Sequence, residues 1–451
     1  MTDQPTLPTD FEAQMAALLG ETYAGYKYSL AQPPPVSIRL NPQKPAALSG
    51  EPVAWCTTGI YLPERPVFTL DPLFHAGAYY VQEASSMFLE QALRQTGLAE
   101  KPLRILDLCA APGGKSTHVA SLVHPESLLV SNETIHGRTA MLAENIGKWG
   151  YDNALVTCND PKDFGTLEGF FDVVIVDAPC SGEGLFRKDE AACSNWSLSH
   201  VQLCSRRQQR ILNEIWPALK HDGILIYSTC THNQHENEAI LHYLINRYEA
   251  EPLALKIQPS WNIEVINAKL PGYRFYPHRV KGEGFFLAVL QKTAHQKQML
   301  LKSKNQYSLP KIDQRSHVEE WLVEPAKHEF IMHTHTIRII PKARLPEVQF
   351  LTQHLNVLEA GTALATVKQN KLVPEHTAAL SVNLNKHAVH TAELSLAQAL
   401  TYLRKETFEL PISRPGFTLV TYKNVPLGWV NILAHRINNL YPSAWRIRMQ
   451  Y

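Results

Sequence analysis

The chain predicts an α/β fold, a mostly parallel sheet with helices on both faces, with smaller α+β units before and after it. Three observations carry that expectation. From about residue 77 to 291, short apolar strands alternate with helical stretches, the pattern of a parallel sheet closed by crossover helices. A glycine-rich turn, Asp107-Leu108-Cys109-Ala110-Ala111-Pro112-Gly113-Gly114-Lys115, follows one strand and precedes a helix. Two later strands run into cysteine segments, Asp177-Ala178-Pro179-Cys180-Ser181-Gly182 and Ser228-Thr229-Cys230-Thr231. Strand ends are where such sheets place their chemistry.

The elements follow in order. Thr9 with Glu12 predicts a capping box, and Phe11, Met15, Leu18 and Leu19 form an apolar stripe at helical spacing. Pro33-Pro34-Pro35 stops the helix. Val36 to Asn41 alternates apolar and polar, as a half-buried strand does, and Gly59 to Leu62 supplies a second. Residues 1–76 thus form a small α+β unit. In the 77–291 unit, helices are expected over Tyr80 to Leu93, His118 to Val123, Arg138 to Trp149, Val201 to Leu219 and Glu236 to Arg247. Strands are expected over Arg104 to Leu108, Leu128 to Glu133, Ala154 to Thr157, Phe171 to Val176, Gly223 to Tyr227 and Gly284 to Leu290. Residues 292–316, with Lys292, Lys297, Lys302, Lys304 and Lys311, read as a basic linker. Residues 317–451 read as C-terminal α+β modules: strands at Thr336 to Ile340 and Phe417 to Val420, a turn into a strand at Val425 to Asn431, and a helix-like Ile432 to Leu440.

The chain has 451 residues, too many for one core at roughly 150 residues per domain. Hydrophobic content of 45% and charged content of 19% are ordinary for a soluble protein. No stretch has the length of a membrane span, and Met1-Thr2-Asp3-Gln4-Pro5 is no signal peptide. A cytoplasmic monomer is expected. The 7 cysteines are scattered, and no CxxC pair exists. Neither a disulfide framework nor a thiolate zinc site is expected, and no metal. The net charge of +1 hides an asymmetry: from residue 291 onward 20 Lys+Arg face 11 Asp+Glu, a balance of +9, against −8 before it. A basic C-terminal third points to a polyanionic partner held there.

The glycine turn lets a ligand approach the backbone, and the helix after it offers free N–H groups to an anionic group. It is neither a dinucleotide GxGxxG nor a Walker A loop. Glu133, roughly 20 residues on, suits the hydroxyls of a ribose; a surface carboxylate reads equally well. Asp160 suits an adenine amino group, but Asn159-Asp160-Pro161 is also turn composition. Asp177, at a strand end, would have its pKa raised by an apolar setting and then share a proton. Cys180 and Cys230 are free thiols at equivalent strand ends, which favours covalent catalysis over packing; spacing leaves open which one attacks. His333-Thr334-His335 puts two imidazoles on one strand face without a third ligand. Trp429 and Trp445 suit either base stacking or the core.

Taken together, these motifs resemble the RNA (cytosine-5)-methyltransferases of the NOL1/NOP2/Sun type, over about residues 30–291. Tyr80-Val81-Gln82-Glu83-Ala84-Ser85-Ser86-Met87 matches as well. Within the family the chain is most similar to bacterial 16S rRNA enzymes of the F type, which carry extra C-terminal modules. The resemblance implies a Rossmann-like methyltransferase sheet with S-adenosylmethionine as donor, RNA-binding terminal units, the last of them PUA-like, and 16S rRNA or the small ribosomal subunit as partner. It implies that Cys109, Ala110, Ala111, Pro112, Gly113, Gly114 and Lys115 wrap the cofactor, Glu133 takes the ribose, Asp160 lies near the adenine, and Asp177 lies between cofactor and base. It makes Cys230 the nucleophile toward cytosine C6 and Cys180 the thiol of product release. A positive charge must then activate Cys230, and Arg187 or Lys188 is expected to supply it. Deleting residues 293–451 is expected to weaken RNA binding and spare the cofactor site. Rival readings are the same chemistry on tRNA, a non-catalytic RNA-binding assembly factor, and an amino-group methyltransferase. The last usually carries Asn/Asp-Pro-Pro-Tyr where this chain has Asp-Ala-Pro-Cys.

Overall fold

The computed structural model describes residues 7–296, 299, 307–369, 371–410 and 414–449. Among these, ten strands form the central sheet. Its middle is parallel, in the order Leu219–Thr229, Phe171–Asp177, Arg104–Asp107, Leu128–Asn132, Ala154–Thr157. Near-continuous apolar runs make these strands, because both faces are covered. Along Phe171–Asp177, Val173 and Ile175 enter one core layer while Val174 and Val176 enter the other. Burying such side chains contributes about 1.5–3 kcal/mol each. The chain winds outward in both directions from Arg104–Asp107, so the switch point lies between that strand and Phe171–Asp177.

Both flanks are antiparallel. Phe285–Lys292 pairs with Leu219–Thr229. On the opposite edge the added strand is Val357–Ala360, which pairs with Ala154–Thr157. Phe350, Leu351 and Leu355 join the core on one face of the sheet, and Phe350 stacks on Phe170 at 5.5 Å. Deleting 293–451 would therefore remove an edge strand of the central sheet along with the C-terminal modules.

Near the N-terminus, Glu51–Pro52, Gly59–Leu62, Val36–Leu40 and Tyr79–Val81 form a separate antiparallel sheet. The helix expected over Tyr80 to Leu93 is thus interrupted. Tyr80 and Val81 have the aromatic and β-branched character of a strand. The Glu83 carboxylate then accepts the Ser85 and Ser86 N–H groups and turns the chain, and the α-helix runs only over Leu89–Gln95. The Thr9–Glu12 capping box does not form: Pro8 precedes the Thr9–Leu19 helix, and Glu12 instead pairs with Lys27. Phe11, Met15 and Tyr26 pack with Phe186, Trp196 and Tyr276.

Two further sheets occupy the C-terminal region. Ile432 to Leu440 is not helical. Ile432 pairs with Ile437 and Leu433 with Arg436, a hairpin that keeps the two isoleucines together. His333 and His335 do not share a strand face either: the hairpin turns at Thr334, whose φ is 56°, and both imidazoles are exposed. Trp429 is core, 2% exposed, with its indole N–H donated to the Glu375 carbonyl. Lys292, expected in a solvated linker, ends a strand, and its buried ammonium donates to the Trp216 and Leu219 carbonyls. Lys311 precedes the Ile312–Glu319 helix, while Lys297, Lys302 and Lys304 lie outside the described residues. No helix among the described residues is long and apolar enough to cross a membrane.

Candidate active site

The glycine turn leaves Arg104–Asp107 at the switch point. Gly113 has φ 114°, a left-handed conformation that disfavours any side chain, and caps the Gly114–Leu122 helix. A cavity of about 190 Å³ opens there, lined by Cys109, Ala110, Ala111, Pro112, Gly114 and Lys115, by Asp177, and by Tyr80, Gln82, Glu83 and Ser86 of the N-terminal segment. The predicted turn and Asp177 are thus brought together. Glu133 and Asp160 are not in this lining. Glu133 is buried, accepts from the Ile135 N–H and pairs with Arg138, which also donates to the Ala111 carbonyl. Asp160 caps the Pro161–Gly165 helix and pairs with Arg210 at 2.8 Å, the turn role its composition predicted. Asn132 holds these loops together. Its side chain donates to the Leu108 and Asn159 carbonyls and accepts from Thr157 and the Asn159 N–H.

Beyond the cavity stand the two thiols. Asp177 and Ser228 are register partners, so the Cys180 and Cys230 loops leave adjacent parallel strands. The sulfurs lie 3.1 Å apart. The hydrogen bond to Cys230, and then burial, hold the Cys180 thiol well above the ordinary thiol range. The two thiols share one S–H hydrogen bond, in which either sulfur can be the donor.

The cation near Cys230 is Lys115, not Arg187 or Lys188. Both of those turn to Glu283, at 2.9 and 3.3 Å. The buried Glu283 carboxylate attracts them. Lys115 instead pairs with Asp177 at 2.7 Å and lies within electrostatic reach of Cys230. Burial would lower its pKa, but the charges of Asp177, Asp107 and Cys230 outweigh burial and raise it. Asp177 accordingly meets Lys115 and the Ser228 hydroxyl, not the apolar setting expected of it.

Sequence reasoning missed several supporting groups. Arg39, fully buried, donates to Gln82 and Thr117 and stacks over Trp149 at 4.4 Å, tying the N-terminal sheet to the helix after the glycine turn. Burial lowers its pKa to about 10. Asp107 accepts from Ser116, and burial pushes its pKa up to about 7. Glu236 accepts from the Ser181 N–H and from Gln208, and burial raises it likewise to about 7. Elsewhere Cys56, Glu90 and His118 converge in the core. Their polar atoms largely satisfy one another and Thr57, Thr58 and Arg94. The signal for Asn132 was present in the sequence, a buried-strand asparagine beside Glu133; the others depend on contacts between distant segments.

A glycine turn, an acidic strand end and paired thiols around the switch point of a doubly wound sheet define a Rossmann-like methyltransferase. The description "16S rRNA methyltransferase RsmB/F" matches residues 98–291. "N-terminal domain of 16S rRNA methyltransferase RsmF" matches 7–84, and "Methyltransferase RsmF PUA domain" matches 389–447. A ribosomal RNA small subunit methyltransferase F from Aliivibrio fischeri is 31% identical over 412 residues, 87% of this chain and 85% of the relative. Its counterpart from Erwinia tasmaniensis is 34% identical over 316 residues, so the chain spans 65% of that relative's length. A methyltransferase homolog from Pyrococcus horikoshii superposes with a TM-score of 0.54 at 26% identity, over 63% of this chain and 95% of that one. The chain belongs to the RsmB/F family of 16S rRNA methyltransferases, S-adenosylmethionine-dependent enzymes of the NOL1/NOP2/Sun type.

Proposed function

We propose that this protein methylates C5 of one or more cytidines in RNA, with 16S rRNA of the small ribosomal subunit as substrate, through a covalent adduct between Cys230 and cytosine C6. The single observation that carries this reading is the pair of thiols 3.1 Å apart at neighbouring strand ends, with the Lys115–Asp177 pair at the same sheet edge. The relatives' names support the ribosomal substrate.

The residues around the cavity fit S-adenosylmethionine. Gly113 and Gly114 leave the backbone accessible, and Glu133 and Asp160 follow the next two strands, where the ribose and adenine would be held. When bound, the cofactor supplies an electrophilic methyl group. The protein's task is to make cytosine C5 nucleophilic. Thiolates, not thiols, attack. Lys115 favours the Cys230 thiolate, whose addition at C6 raises the electron density at C5. Asp177 holds the N3 edge of the base, where a proton stabilises the adduct. After C5 has taken the methyl group, loss of the C5 proton to a base reforms the double bond and expels Cys230. Cys180 returns a proton to the departing sulfur and assists release.

The base must leave its stack, at a cost of a few kcal/mol. Residues 1–76 and the basic C-terminal modules, the last PUA-like, supply the compensating RNA contacts in this reading. The protein would act in the cytoplasm on the ribosomal subunit or its RNA. The test is transfer of a labelled methyl group from S-adenosylmethionine to 16S rRNA, with bisulfite mapping of rRNA from a strain lacking the protein. Transfer to an amino group, or to tRNA alone, would overturn the assignment.

A further inference from the structure

Glu183 lies three residues beyond Cys180 and is 2% exposed. Its carboxylate has no lysine or arginine partner among the described residues. Leaving a carboxylate in such a place is costly unless its oxygens are fully engaged. They are engaged by one segment above all. One oxygen accepts the His232 backbone N–H at 3.0 Å. The other accepts the Asn233 side-chain amide at 3.2 Å and the Trp196 indole N–H at 3.0 Å. Next to it, the Gly184 N–H donates to the Cys230 carbonyl at 2.9 Å.

We infer that Glu183 is a positioning residue, the latch that holds the Cys230 loop against the Cys180 loop at the sulfur–sulfur distance the reaction needs. It lies outside the lining of the glycine-turn cavity and acts through the Cys230 backbone. The packing leaves the loop no other seat. Gly184 and Gly284 approach so closely that a Cβ on either would collide with the other's backbone, and one on Gly284 would also meet the His232 ring. That ring stacks on Tyr276 at 4.9 Å and meets Tyr26 edge-on at 5.5 Å. Tyr26 belongs to the Tyr23–Leu30 helix, so the N-terminal helices brace the same loop. Burial pushes the Glu183 pKa up, and the hydrogen bonds from Thr231, Asn233, Trp196 and His232 oppose that rise.

The surrounding groups all donate to it, and only a carboxylate offers two acceptor oxygens to them. Glutamine has the same shape but turns one acceptor into a donor. Glu183→Gln should therefore misplace Cys230 without unfolding the chain. A misplacement of about 1 Å costs on the order of a hundredfold in rate.

The inference rests on the methyl-transfer reading, and the experiment separates the two. Adduct formation between full-length protein and 16S rRNA is followed in a Cys180→Ala background, with and without Glu183→Gln, at saturating S-adenosylmethionine and RNA. The expected result is adduct formation slowed about ten- to a hundredfold, with cofactor affinity and Tm little changed. Adduct forming at the same rate in both proteins would overturn the latch. So would a parallel loss of cofactor affinity, the mark of general damage to the fold. No adduct even with Glu183 intact would count against the proposed chemistry instead.

Discussion

The Cys180 loop and the Cys230 loop leave neighbouring parallel strands in register, and each delivers a thiol to the same point. Their surroundings differ. Cys180 lies near Glu236, which accepts the Ser181 N–H, and its hydrogen bond to Cys230 and its burial raise its pKa. Cys230 lies on the Lys115 side and is held by Glu183 and Gly184. In the proposed chemistry, identical side chains at equivalent strand ends take different roles because their surroundings differ. The hydrogen bond to Cys230 and burial keep the Cys180 thiol protonated, and the Lys115 charge lies within electrostatic reach of Cys230.

The sharpest break of this contrast is Cys230→Ala. Methyl transfer should fall by on the order of a thousandfold or more, with no RNA adduct on a denaturing gel. Cys180→Ala should do the opposite to the adduct, letting it accumulate to stoichiometry while multiple turnover stops. Accumulation in the Cys230 variant would exchange the two roles. Lys115→Met should lower the single-turnover rate by about a hundredfold. It should also move the rising limb of the pH–rate profile to higher pH, because the thiolate loses its cation. An unshifted profile would remove Lys115 from thiol activation.

Two smaller effects concern the supports. Deleting 293–451 exposes the edge of Ala154–Thr157 and empties part of one core layer. It should lower Tm and weaken S-adenosylmethionine binding as well as RNA binding, as calorimetry would show. The smallest effect is that of Glu236→Gln. Glu236 titrates at about 7 when folded, above its ordinary 4.5. The folded state therefore holds the extra proton between those values. The stabilisation is fully present below pH 4.5 and is lost as pH rises through 7, about 3 kcal/mol in all. Glutamine needs no proton there, so the Tm of the variant should gain on the wild type between pH 5 and pH 8. A constant difference would mean that Glu236 is not buried as a neutral acid.

Much of the molecule was legible in the residues. Apolar runs with period-free burial gave the parallel strands, and the glycine turn marked the switch point, because local composition decides both. The failures share a cause. Tyr80 to Leu93 was misread because strand pairing with Val36–Leu40 overrode helical spacing. Ile432 to Leu440 was misread because a two-residue hairpin turn carries little signal beyond itself. Arg187 and Lys188 looked suited to activating a thiol because they follow Cys180 closely, yet Glu283, some 95 residues away, holds both.

The sequence by itself determined the inventory: two thiols at strand ends, a carboxylate at the first of them, a glycine turn and a basic C-terminal third. Those are properties of short segments. Only the tertiary structure decided that the two sulfurs meet at 3.1 Å, that Lys115 rather than Arg187 or Lys188 is the cation within reach of Cys230, and that a strand from residues 357–360 completes the sheet. Each of these depends on distances between segments far apart in the chain. Electrostatic and hydrogen-bond energies are set by those distances and by burial, and neither is written in local composition.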